Sequence, residues 1–135
     1  MQIEAIEIMV AKFLVNPHVQ NKGWLGERAC ENIIGITGHH LRLEAFKIDP
    51  LNMTIKAKAH IQGIGWKDYG QIDKNTVIGT VGENKRIECL CFEGDFEYRV
   101  HVQNSGWTDW TKSDGISTLG TVGQELRIEA IQFKN

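Results

Sequence analysis

The sequence predicts an all-β domain of three repeats of about 42 residues around a pseudo-threefold axis. It is β-prism-like, with the β-trefoil as the alternative. Three observations carry this. HVQNKGW (His18–Trp24) returns as HIQGIGW (His60–Trp66) and HVQNSGW (His101–Trp107), with the tryptophans 42 and 41 residues apart. Each unit is followed by G-x-x-G, at Gly35/Gly38, Gly79/Gly82 and Gly120/Gly123. A near-copy strand then closes each repeat: LRLEAFKI (Leu41–Ile48), KRIECLCF (Lys85–Phe92) and LRIEAIQF (Leu126–Phe133).

The elements follow in chain order within a single domain, 1–135. Residues 1–9 contain MQIEAIEI, a fourth copy of the closing strand with no Gly-Trp unit before it, and are expected to dock near the C-terminal copy and close the domain. The repeats span approximately 10–48, 53–92 and 96–133. Lys56–Gln62 and Arg99–Gln103 alternate polar and apolar residues, the period of a half-buried strand. Asp49-Pro50-Leu51-Asn52 and Glu93-Gly94-Asp95 have turn compositions and predict hairpins. Glu27–Ile34 has room for one short helical turn, and no segment offers a long amphipathic helix. About three clear strands per repeat favour the prism, because a trefoil needs four.

Composition excludes several classes. Fifteen Lys+Arg against 17 Asp+Glu give a formal charge of −2, unlike a nucleic-acid binder or an acidic tail. No apolar run reaches the ~18 residues of a membrane helix, and the acidic opening residues do not read as a secretory signal. Cys30, Cys89 and Cys91 follow no disulfide pattern and read as reduced packing residues. No nucleophile, phosphate-loop or dinucleotide signature is present, so no enzyme and no cofactor are expected. His18, His60 and His101 could meet as a three-His zinc site, but their outward strand face argues against it, and no metal is expected.

The recurring positions are the candidate binding residues. Strand alternation places His18, His60 and His101 with Gln20, Gln62 and Gln103 opposite the apolar row, as a repeated surface site or as cross-strand bonds that fix register. Trp24, Trp66 and Trp107 each follow a Gly, which predicts rings aimed inward as core anchors; the sharper reading is a stacking platform for a sugar. Asp68-Tyr69 and Asp109-Trp110 add a carboxylate beside a second ring, a pairing suited to carbohydrate, whereas repeat 1 has Leu25-Gly26-Glu27 there. Arg42/Glu44, Arg86/Glu88 and Arg127/Glu129 share strand faces; they could pair with neighbouring strands or bind ligand, and they read as framework because the N-terminal copy keeps Glu4 with no Gly-Trp unit before it.

HVQNxGW, G-x-x-G and LRIEAI in this order resemble the clostridial hydrophobic-W (ChW) repeat family over essentially the whole chain. The resemblance implies a non-catalytic module of Gram-positive bacteria and their phages, attached to extracellular or cell-surface proteins and binding glycans, cell-wall polysaccharide or a protein partner. It does not itself assign contact residues. If residues 1–9 close the domain, deleting them lowers the melting temperature; an unchanged value would refute that role.

Overall fold

The structure is a computed structural model and describes residues 11–134. The expected closing strand at residues 1–9 lies outside the described residues. Among them every regular element is a strand, as the alternation predicts. Repeat 1 supplies β1 (Leu14–Val19), β2 (Gly23–Trp24), β3 (Arg28–Ala29), β4 (Ile34–Gly35) and β5 (Leu43–Asp49). Repeat 2 supplies β6 (Lys56–Ile61), β7 (Gly65–Gln71), β8 (Ile78–Gly79) and the first half of β9 (Ile87–Val102). The second half of β9 opens repeat 3, which continues with β10 (Gly106–Trp107), β11 (Thr111–Asp114), β12 (Leu119–Gly120) and β13 (Ile128–Lys134).

Taking β2 with β3, and β10 with β11, as one interrupted position along the first strand, each repeat walks through four strand positions, one more than the sequence displayed. The extra one is the G-x-x-G segment, too short to show alternation. First and last strands pair antiparallel within each repeat: β1 with β5, β6 with the first half of β9, and its second half with β13. The short third strand instead pairs with the last strand of another repeat: β8 with β5, β12 with β9, and β4 with β13. This pairing is cyclic. Two antiparallel sheets result, each built from more than one repeat.

Three local expectations are corrected. Asp49–Asn52 does turn, with the Met53 amide donating to the Pro50 carbonyl at 2.9 Å, but β5 and β6 belong to different sheets and form no hairpin. Glu93-Gly94-Asp95 lies inside the continuous strand β9. Gly94 is there for room, since a Cβ would lie 2.4 Å from Cε1 of Phe96. Glu27–Ile34 holds two short strands and a turn, not a helical turn.

Apolar rows from all three repeats meet in one core. Phe13, Phe92, Phe96, Tyr98 and Phe133 form its aromatic centre, with Phe13 5.1 Å from both Phe96 and Phe133 between ring centroids. Such tilted and edge-on contacts suit the ring quadrupoles. Cys30, Cys89 and Cys91 are buried and unbridged, and burial raises all three thiol pKa values. Their role is packing.

The first glycine of each G-x-x-G is a close-approach residue. At Gly79 (φ 96°) a Cβ would lie 2.3 Å from the Glu44 carbonyl oxygen, and at Gly120 (φ 115°) 2.3 Å from that of Glu88. The second glycine, such as Gly82 (φ 78°), has open space around that position and needs only the left-handed conformation. Gly79→Ala should therefore cost about 3 kcal/mol or more, combining strain with a backbone collision. Gly82→Ala should cost about 1 kcal/mol. Equal denaturant midpoints for the two variants would contradict this account.

Candidate functional site

The repeated site starts from a β-bulge. In repeat 1 His18 faces Ala45 and Val19 faces Leu43, so Glu44 is an extra residue in its strand. Glu88 and Glu129 occupy the same position opposite β6 and β9. A bulge re-aims the side chain and leaves its peptide group outside the ladder. The freed carbonyls are used between repeats: Thr80 donates its amide to Glu44 at 3.1 Å, and Thr121 to Glu88 at 3.0 Å.

All three glutamates are buried. One carboxylate oxygen, Oε2, accepts from the arginine two residues earlier: Arg42 Nε at 2.8 Å, Arg86 Nε at 2.9 Å and Arg127 Nε at 3.0 Å. The other oxygen faces a histidine on the first strand. His60 Nδ1 lies 2.9 Å from Glu88 Oε1 and His101 Nδ1 3.1 Å from Glu129 Oε1. In repeat 1 the His18–Glu44 distance is 3.3 Å, a contact outside hydrogen-bond geometry. Each Arg–Glu pair is thus tied into the strand framework. Each histidine has its own carboxylate partner, and among the described residues no group of His, Cys, Asp and Glu is arranged to hold a metal ion.

The glutamines fix register. Gln20, Gln62 and Gln103 each accept the backbone amide of Arg42, Arg86 or Arg127 on Oε1 at 3.2 Å, and each donates its own amide to the same residue's carbonyl.

The tryptophans require a correction. Trp24 and Trp66 are 37% and 46% exposed, and Trp107 is half-buried, so none is a core anchor. Each stands directly across the strand pair from its histidine: Trp24 from His18, Trp66 from His60 and Trp107 from His101. The rings meet edge to face at centroid distances of 5.1, 5.4 and 5.2 Å. A buried carboxylate thus orients the imidazole, and the imidazole supports an indole at the surface. The preceding glycine takes positive φ to turn the hairpin, which leaves the tryptophan on the polar face.

The surroundings of the three rings differ. In repeat 3 the Arg99 guanidinium carbon lies 4.5 Å from the Trp107 centroid and 4.7 Å from that of Trp110, with Lys134 Nζ 4.4 Å from Trp110. The protein's own cations cover these faces. Gln132 accepts from Arg99 at 2.7 Å and helps hold it there. In repeat 1 Lys47 Nζ sits 4.8 Å from the Trp24 centroid, and the second ring is missing.

Repeat 2 is open. Trp66, Lys58 and Asp68 line a groove of about 450 Å³ with Cys91 and, from repeat 3, Ile116 and Thr118. A second hollow of about 470 Å³ shares Lys58, Asp68 and Cys91 and continues toward Glu93. Tyr69 is not a free platform there: its hydroxyl accepts the Gly79 amide at 3.0 Å, and its ring packs against the core. Asp68 is exposed and also accepts the Gly70 amide at 2.8 Å; Asp109 is exposed. The far wall is held by Asp114, whose carboxyl is kept below the usual range by the Ser117 amide first and then the Ile116 amide. That turn contribution is present above the ordinary aspartate range and fades as pH falls through the lowered value.

Sequence reasoning therefore missed that Arg99 lies over the rings, that Lys58 lines the groove, and that Ile116 forms its wall. Lys58 and Arg99 each lie two residues before a recurring histidine, so strand alternation already placed them on its face. Ile116 carried no such signal, because it comes from the variable part of another repeat.

An all-β chain with three histidine-backed tryptophans on its surface is a repeat-built protein. It belongs to the ChW (Clostridial hydrophobic W) family, whose repeat pattern matches residues 18–51, 60–91 and 101–134. Neither a curated protein nor a solved structure matches the chain.

Proposed function

We propose that this protein is a non-catalytic, lectin-like binding module for cell-surface or cell-wall glycans, with its most open site in repeat 2. The observation that carries this is Trp66, 46% exposed at the mouth of a groove that also holds Lys58, Asp68 and Thr118. An indole face packs against sugar C–H groups, while carboxylate, ammonium and hydroxyl groups exchange hydrogen bonds with sugar hydroxyls. Repeats 1 and 3 bind more weakly in this reading, because Lys47 lies over Trp24 and Arg99 fills the space between Trp107 and Trp110. The three repeats surround a pseudo-threefold axis, and four strand positions per repeat with cyclic third-strand pairing favour a trefoil-like layout over a prism.

A second reading is a protein-interaction surface. Ile116, 83% exposed beside Trp66, favours it, because an aliphatic side chain suits an apolar peptide residue better than a sugar. Binding to a glycan array and to purified cell wall separates the two. In the glycan reading Trp66→Ala lowers binding at least tenfold with an unchanged melting temperature, and His60→Ala lowers it less by loosening the ring. Retained glycan binding in Trp66→Ala would reject this placement, and protein capture with no glycan response would favour the second reading.

A further inference from the structure

At the ends of the first strands away from the Phe13–Phe96 cluster, equivalent residues of all three repeats line one polar cavity of about 290 Å³. Its walls are Gln20, Gln62 and Gln103 with Arg42, Arg86 and Arg127; His40 and Glu125 are exposed members of the lining. The hydrogen-bond inventory of this wall is one-sided. Each glutamine spends its oxygen on an arginine backbone amide, which settles the amide orientation and leaves Nε2, a donor. Among the described residues these Nε2 groups meet no acceptor.

The arginines are partly unspent. Each gives Nε to its buried glutamate; one terminal nitrogen of Arg42 and of Arg127 also lies 2.8 and 3.0 Å from that carboxylate, and the one on Arg42 reaches Asn84 Oδ1 at 3.0 Å. A guanidinium carries five N–H donors, so among the described residues the two on the other terminal nitrogen remain on each arginine. Glu44, Glu88 and Glu129 are not part of the cavity wall. The wall therefore offers amide and guanidinium donors from three directions, and among the described residues Glu125 supplies the one carboxylate in it.

We propose that this cavity is a binding site for a small oxyanion group, a phosphate, sulfate or carboxylate, held by guanidinium and glutamine N–H donors from all three repeats. An acceptor-only ligand with several oxygens satisfies such a wall; a cation or an apolar group does not. The ligand is either a free anion or an anionic substituent on a larger polymer. The site is separate from the Trp66 groove and does not depend on the glycan reading.

The test is an NMR titration of the full chain with inorganic phosphate at constant ionic strength, balanced with sodium chloride and read at arginine Nε–H and glutamine side-chain signals. Saturable shifts at Arg42, Arg86 and Arg127, absent with chloride alone, are expected. Parallel titrations with sulfate and acetate distinguish a tetrahedral anion from a carboxylate, and a phosphorylated glycan fragment distinguishes a polymer substituent from a free ion. Glu125→Gln, which removes the like charge, should tighten phosphate binding about fivefold. Trp66→Ala should titrate like the parent. Absence of saturable shifts, equal shifts with chloride, or weaker binding in Glu125→Gln would overturn the proposal.

Discussion

The fold depends on one residue used three times, the buried glutamate at a β-bulge. Glu44, Glu88 and Glu129 each join features that are otherwise far apart in the chain. The bulge frees a carbonyl, and the close-approach glycine of another repeat lies against it. The carboxylate neutralises the arginine two residues earlier and holds a histidine on the paired strand. Burying a carboxylate is expensive unless such partners satisfy it, so the ion pair, the bulge and the glycine stand or fall together. This is why Arg-x-Glu and G-x-x-G recur in the same order.

The same carboxylate reaches the surface through histidine. An exposed indole on a flexible mount would lose rotamer entropy on binding; one braced edge-on by an imidazole has already lost part of it. The framework is common to the three repeats, whereas the residue under each ring is not. Lysine, an open groove and a stacked arginine give three different surfaces on one scaffold. Divergence at those positions leaves the core intact, because Lys47, Lys58 and Arg99 are not members of it.

Much of the framework was legible in the sequence, because its demands recur. The repeat length, the paired Arg and Glu and the polar face of His and Gln all follow from spacing and alternation. Three things were not legible. Turn composition at Glu93-Gly94-Asp95 suggested a reversal, yet its glycine serves the Phe96 ring inside a long strand. The tryptophans looked like core residues because they are large and follow a glycine. Their real position depends on cross-strand register with histidine, a relation between segments that local pattern does not encode. The groove likewise combines Trp66 with Ile116, fifty residues apart in sequence.

The central claim is that the bulged glutamate is the structural joint between repeats, and equilibrium unfolding of Glu88→Ala tests it most directly, with Glu93→Ala as reference. Glu93 is half exposed, and its contact with Lys56 at 3.8 Å is a surface pair of little worth. Removing the Glu88 carboxylate leaves Arg86 and His60 without their partner and should cost about 3 kcal/mol. The reference should stay within about 0.5 kcal/mol of the parent. A Glu88→Ala variant as stable as the reference would contradict the account.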